Sequence, residues 1–392
     1  MIAAARPGAV VIGGDYQGLA IARSLGRRGI SVFVLDDERG IARASRYVTA
    51  SMRVASLRGE QETVAALAQA QRRYGLEGWL LYPTRDETVA AIARAREHLA
   101  ASYRVAVAPW AAIHAAWDKR ETYRVAGEVG VAAPRSWRVG DLASLADIDC
   151  PPPWVIKPAI KERFFYATGA KAWRADDREQ LARRVREAGE LVGAQEVIVQ
   201  EMIPGGGEAQ VSYCAMFKDG RALATMTAQR LRQHPMDFGR ATTYARTIAD
   251  PGLAEPSLRL LSAIGYYGLV ELEYKLDARD GQFKLLDVNP RTWGYHGLAQ
   301  RAGVDFPFHL YADVFGLPAP DAGRCRPGVN WVRLATDLPT VAIELRRRRL
   351  AARPVLRSLC AADAEAVFSA RDPWPTLAEL ALVPYMALRR GL

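Results

Sequence analysis

Gly268-Leu-Val-Glu-Leu-Glu-Tyr274, a short turn, and Lys284-Leu-Leu-Asp-Val-Asn-Pro-Arg291 decide how this chain folds. Both runs alternate polar and apolar residues, so each reads as a strand of period two. Glu271 and Glu273 share one face of the first strand, and Asp287 and Asn289 share one face of the second. Between them, Asp277-Ala-Arg-Asp-Gly281 has the Asp-Gly chemistry of a hairpin turn. A three-residue loop ending at Gly281 sets Glu273 opposite Asp287, with Cβ atoms roughly 4.5–5.5 Å apart. Opposed carboxylates repel unless a positive charge lies between them. Hard oxygen ligands beside an amide suit Mg²⁺, which is usually held by one or two carboxylates and by the phosphates of a nucleotide. Arg291 adds a fork for phosphate or carboxylate. The plain alternative is a surface hairpin with solvated acids.

The spacing of Gly268 and Glu273, followed by Asp287-Val-Asn-Pro-Arg291, resembles the metal-binding hairpin of the ATP-grasp superfamily. That resemblance implies Mg²⁺, or Mn²⁺ in its place, on Glu273, Asp287 and Asn289, with Arg291 on a developing acyl phosphate. Two further stretches carry the likeness. Trp154-Val-Ile-Lys157-Pro158 matches the strand whose lysine holds the α-phosphate of ATP. Val197-Ile-Val-Gln-Glu-Met-Ile-Pro-Gly205 matches the hinge under adenine. There the resemblance implies Glu201 at the exocyclic amine, backbone near Met202 and Ile203 at the ring, and Glu208 on the ribose. Lys119, in Trp117-Asp-Lys-Arg-Glu-Thr-Tyr123, matches a cation that faces ATP from the first helix of the region.

The chain departs from the family between Ala159 and Lys171. A glycine-rich loop is expected there, but the segment has one glycine, two aromatic residues with a tyrosine, and added bases. Lys161, Arg163 or Lys171 could replace missing backbone contacts by charge. Downstream, Gln229–Thr243 carries Arg230, Arg232 and Arg240 near where substrate would enter, and these could bind an acyl phosphate or a carboxylate. Arg240 is taken with Arg291 and Lys157 as catalytic.

The rest of the sequence bounds the answer. A length of 392 residues favours two or three domains. Half the residues are apolar and about a quarter charged, as in a globular enzyme. The net charge of +10 comes from arginines spread without aromatic interleaving, which argues against nucleic acid as partner. Met1–Pro7 runs straight into the strand-like Ala9–Ile12, so no secretory leader is expected. No apolar run approaches the roughly 18 residues of a membrane span. Cys150, Cys214, Cys325 and Cys360 lack paired spacing, which indicates neither zinc nor disulfides and implies a cytoplasmic setting.

Residues 9–36 read as strand, glycine turn, helix and strand, but Asp15 stands where a dinucleotide fingerprint needs its second glycine. A Rossmann-like domain without that cofactor is expected, and a nicotinamide-dependent oxidoreductase becomes the remote alternative. Asp86 and Glu87 are read as caps of the following helix. Beyond Arg324 the resemblance ends. The run Arg346–Arg349 and the tail Pro384–Arg390 could touch an anionic membrane surface, or form a packed helix with solvated arginines.

The expected fold is α/β: a Rossmann-like pre-ATP-grasp domain (1–112), a two-part α+β ATP-grasp domain (113–320) and a mostly helical C-terminal extension (321–392). The resemblance implies an ATP-dependent carboxylate–amine ligase acting on a small-molecule carboxylate and amine, with homodimerisation open. A carboxylase using bicarbonate is the alternative.

Overall fold

The computed structural model describes residues 7–390, apart from 142, 237, 240 and 319–322. Among the described residues the strands form three sheets. The first contains β1 (Ala9–Ile12), β2 (Val32–Asp36), β3 (Ala50–Arg53) and β4 (Leu80–Pro83), all parallel, in the order β3-β2-β1-β4. β1 and β2 are buried throughout, as unbroken apolar runs covered by helices on both faces must be. Beside β4, Arg104 adds an isolated parallel bridge to Leu80.

At the end of β1, Gly13 adopts φ +107°, and the chain turns into helix Tyr16–Gly26. Asp15 caps that helix. Asp36, the residue a ribose would need, instead accepts from the Gly14 amide at 2.8 Å and pairs with Arg85 at 3.0 Å.

The second sheet is antiparallel and stands apart as a lobe. It runs β5 (Ser136–Arg138), β8 (Val197–Glu201), β6 (Trp154–Pro158) and β7 (Trp173–Ala175) in space. Its core is its own: Trp154, Ile156, Phe164 and Val199 pack on Leu181 and Val185 of helix Arg178–Val192.

The third sheet has strand order β13-β12-β9-β10-β11-β14-β15, from β9 (Gln210–Lys218), β10 (Arg221–His234), β11 (Ala241–Ile248), β12 (Gly268–Asp277), β13 (Gln282–Asn289), β14 (Asn330–Val332) and β15 (Ala364–Glu365). It is sandwiched. Val270, Leu272 and Tyr274 face one core, and Leu269 faces the other. Glu271 and Glu273 follow Leu269 on that face, where the strand runs out from the core into the cleft between the sheets.

Two expectations are corrected here. Gln229–Thr243, expected near the substrate entrance, is largely strand, because β10 continues to His234 and β11 begins at Ala241. Arg230 and Arg232 are accordingly buried. The C-terminal extension is also less of a tail than its sequence implied. β14 and β15 extend the large sheet, and Asp372 reaches back to the N-terminal part of the chain, pairing with Arg23 at 2.9 Å and Ser45 at 2.7 Å. The side chains of Pro384–Arg390 lie outside the described residues, as does Arg240.

Candidate active site

The hairpin sets Glu273 opposite Asp287 and Glu271 opposite Asn289. The route differs from the expected one. Asp277 pairs with Gln282 across a four-residue turn, and a bulge between Glu273 and Tyr274 restores the predicted pairing. The bulge leaves Leu286 over, and its carbonyl accepts from the Tyr123 hydroxyl at 2.7 Å.

Each acid of the pair meets a cation from another element. Lys119, first residue of helix Lys119–Glu128, lies 2.9 Å from Asp287. Arg230, from β10, lies 3.1 Å from Glu273. Burial alone would raise the Asp287 carboxyl, but Lys119 and Lys161 outweigh it and hold it well below the usual carboxylate range. For Glu273, burial is likewise overcome by Arg230 and Lys171, and the net shift is downward. Both are therefore anions at neutral pH. Glu271 differs: burial and its neighbour Glu273 raise it, while Tyr295 donates to it at 2.6 Å and Asn289 at 3.1 Å.

Asn289 joins the two clusters. Its amide nitrogen donates to Glu273 at 3.0 Å, and its oxygen accepts from Lys161 at 3.3 Å and Arg291 at 3.2 Å. Arg291 in turn forks onto Asp86 at 2.7 and 3.2 Å, and Lys161 pairs with the same carboxylate. Asp86 was expected to cap its helix. Instead it is buried, and it ties Arg291 and Lys161 to the start of helix Asp86–Arg94. Burial opposes its ionisation, but Arg291 and Lys161 hold its carboxyl far below the normal range.

Lys157 leaves β6 toward the same cleft and is fixed by Tyr123 at 2.6 Å and Gln200 at 2.8 Å. Gln200 is itself held by Ser136 at 2.8 Å. The expected loop after Lys157 is a helix, Lys161–Thr168, closed by Gly169 at φ +69°. Lys171 follows it, half-buried, its pKa lowered by burial against the opposing pull of Glu273. At the far end of β8, Glu201 accepts from the Arg135 amide at 2.9 Å and pairs with Arg279 at 3.1 Å. Lys275 holds the carbonyls of Ile203 at 2.9 Å and Gly205 at 2.6 Å, which fixes the backbone beyond Met202. Glu208 is exposed and accepts from the Gly206 amide at 3.0 Å.

The structure thus brings Lys119, Lys157, Lys171, Glu273, Asp287, Asn289 and Arg291 to one cleft, with Glu201, Met202, Ile203 and Glu208 along the β8 end. Arg232 is not among them: it forks onto Asp337 at 2.8 and 2.7 Å in the interior. Arg230, Asp86 and Glu271 join the cluster, although sequence spacing gave no direct sign of the first two contacts. Beside Arg291 opens a cavity of about 670 Å³, bounded by Tyr16, Arg85, Lys161, Tyr166 and Arg333.

Among the described residues no group of three or more His, Cys, Asp or Glu side chains is arranged to hold a metal alone. The donor set still suits Mg²⁺. Two ionised carboxylates and an amide oxygen are hard ligands, and phosphate oxygens supply the remainder in nucleotide sites.

No family model matches the chain. The carbamoyl phosphate synthase large chain, N-terminal section, of Methanopyrus kandleri is 25 % identical over 157 residues, 38 % of this chain and 26 % of that protein. The carbamoyl phosphate synthase large chain of Thermomicrobium roseum is 22 % identical over 307 residues, 75 % of this chain and 28 % of that protein. The chain therefore spans little more than a quarter of the length of these curated relatives. Among solved structures, an L-amino acid ligase from Bacillus licheniformis superposes with a TM-score of 0.64 at 16 % identity, over 83 % of this chain and 78 % of that one. A biotin carboxylase from Campylobacter jejuni gives 0.66 at 14 %, over 83 % and 75 %. An N5-carboxyaminoimidazole synthetase from Staphylococcus aureus gives 0.64 at 14 %, over 87 % and 86 %. Three sheets around an acidic hairpin, matched over most of the chain by these structures, establish that this protein has an ATP-grasp fold.

Proposed function

We propose that the chain is an ATP-dependent ligase that activates a small carboxylate as an acyl phosphate and joins it to an amine. The observation that carries this reading is the ionised pair Glu273 and Asp287, opposed across a hairpin and ringed by Lys119, Lys171 and Arg230. Such a site neutralises phosphate charge and offers no nucleophile of its own, which suits phosphoryl transfer. Glu273, Asp287 and Asn289 would hold Mg²⁺ or Mn²⁺, which would supply neutralisation of phosphate charge when bound.

The chain's own residues do the rest. Lys157 and Lys119 bind phosphate oxygens, with Lys171 beside them. Glu201 and the backbone at Met202 and Ile203 hold adenine, and Glu208 takes the ribose. Arg291 faces the phosphoryl group in transfer. Arg240, outside the described residues, is assigned to catalysis from sequence position alone. An oxygen of the substrate carboxylate attacks the γ-phosphorus, and the bond to ADP breaks. The amine nitrogen then attacks the acyl carbon, loses a proton and expels phosphate. The cavity beside Arg291 is where carboxylate and amine meet. On this reading residues 1–112 form a Rossmann-like domain that shapes the acceptor site, 113–320 the catalytic domain and 321–392 an extension. The setting is cytoplasmic.

Hydroxylamine tests the reading by capturing an acyl phosphate in place of the amine. With ATP, Mg²⁺ and a panel of amino acids, small carboxylic acids and bicarbonate, the right acid yields ADP, phosphate and a hydroxamate. Bicarbonate-dependent ADP release without hydroxamate selects the carboxylase alternative. Lys157→Ala abolishes the product, and Glu273→Gln or Asp287→Asn lowers the rate roughly 100-fold or more while leaving the fold intact. AMP and pyrophosphate as products overturn the proposal.

A further inference from the structure

The C-terminal helices are built inside out. Of the eleven large apolar side chains with substantial exposure among the described residues, nine lie between Leu334 and Val383. In helix Leu334–Arg346 the polar residues Asp337, Thr340 and Glu344 point inward. Asp337 pairs with Arg232 at 2.7 Å and accepts from Thr243 at 2.7 Å, Thr340 meets His234 at 2.8 Å, and Glu344 is buried. Its solvent side carries Leu334, Leu338 and Ile343, at 37 %, 50 % and 40 % exposure. Helix Trp374–Arg390 repeats the pattern. Glu379 is buried against Arg333 at 3.2 Å, while Trp374, Leu377, Leu380 and Val383 stand 46–63 % exposed. At 100° per residue Trp374, Leu377 and Leu380 lie roughly 100–160° around the helix from Glu379, while Val383, four residues on, lies about 40° from it. The Arg333–Glu379 pair ties the start of one helix to the middle of the other. An ordinary surface helix has the reverse polarity, so these faces are shaped for an apolar environment.

Charge selects the occupant. Residues 345–362 carry Arg346, Arg347, Arg348, Arg349, Arg353 and Arg357 and no acid. Helix Ala352–Cys360 exposes Leu356 between Arg353 and Arg357. Apolar side chains that alternate with a dense positive band fit the boundary of an anionic bilayer, where leucines and tryptophan enter the acyl region and arginines meet lipid phosphates. A second copy of this chain would bring a like-charged band to the same face and repel it.

We propose that this face docks the protein on an anionic membrane surface, lying on the bilayer without crossing it. Among the described residues no helix is long and apolar enough to cross. Anchored so, the ligase would meet a carboxylate or amine substrate carried at the membrane.

The test uses the full chain and vesicles of phosphatidylcholine alone or with phosphatidylglycerol. Flotation is expected with the anionic vesicles only and is weakened by salt. The triple variant Trp374→Glu, Leu377→Glu, Leu380→Glu and the triple variant Arg346→Glu, Arg353→Glu, Arg357→Glu should each reduce bound protein about tenfold or more. All six positions are exposed, and circular dichroism should show unchanged folding. Sedimentation velocity in the absence of lipid should give one value for wild type and variants. No flotation with anionic vesicles overturns the proposal, as do variants that still float. A wild-type dimer that the apolar variant converts to monomer overturns it in favour of a face between copies of this chain.

Discussion

Glu271, Glu273 and Asp287 carry the same functional group in different electrostatic settings. Lys119 and Arg230 ionise two of them, while burial and a like-charged neighbour favour the protonated form of the third. The sequence made the pair legible because motif spacing and period-two alternation act within a few residues. It could not reveal Arg230, 43 positions from Glu273, or Asp86, 205 positions from Arg291, since those contacts depend on how sheets and domains come together. His296 is another such case, since its burial depends on the packing around Trp293 and Phe306. Burial lowers its pKa from 6.5 to about 4, and its Nδ1–H donates to the Trp293 carbonyl at 2.9 Å. The unfolded chain therefore takes up this proton near pH 6.5, whereas the folded protein resists until about pH 4. Stability from this group is full above pH 6.5 and falls as pH drops through that window, by about 3 kcal/mol in all. His296→Asn keeps a donor near the Nδ1 position but does not titrate. Denaturant unfolding of both proteins from pH 7.5 to 4 should show their stability difference changing by about that amount. A difference independent of pH would refute the assignment.

At the scale of elements, the hairpin shows how a right pairing arises from a different geometry. The turn is one residue longer than expected and a bulge compensates, so Glu273 still faces Asp287. Bulges have no residue signature comparable to Asp-Gly, which is why this one was not legible. It frees the Leu286 carbonyl to hold Tyr123, and Tyr123 accepts from Lys157. One strand irregularity thereby reaches a lysine on another sheet. The segment 161–168 was misread for a related reason. A loop was expected by family likeness, yet Lys-Glu-Arg-Phe-Phe-Tyr-Ala-Thr has no internal glycine or proline and buries Phe164 in the small lobe. Tyr123→Phe should separate positioning from folding. It removes an acceptor from Lys157 and a donor from Leu286, each worth about 1 kcal/mol. The expected result is a KM for ATP raised roughly fivefold, with kcat much less affected. A fall in kcat at unchanged KM would mean that Tyr123 acts on the chemical step.

Across the whole molecule, the sequence read best where motifs were dense and worst where the chain closes on itself. The strands β14 and β15 have three and two residues, too few for alternation to register, and so the extension looked like an appendage. Asp372 shows that it is not. With no exposed surface, its carboxylate takes Arg23 at 2.9 Å, Ser45 at 2.7 Å and the Arg46 amide at 3.0 Å, joining the segment before the last helix to the N-terminal part of the chain. Burial pulls the Arg23 pKa down, and Asp372 is what opposes that pull. Asp372→Ala would leave a buried guanidinium without its partner, at a cost of about 3–5 kcal/mol. The double change Arg23→Met, Asp372→Leu removes both charges and should recover much of that loss, because a well-packed apolar pair can replace a buried ion pair. Two measurements check this: the stability of both variants, and limited proteolysis, where Asp372→Ala alone should open cleavage sites after residue 360. If the single variant loses under about 1 kcal/mol, or the double is no better, the contact is not the clasp that holds the C-terminal residues to the N-terminal part of the chain.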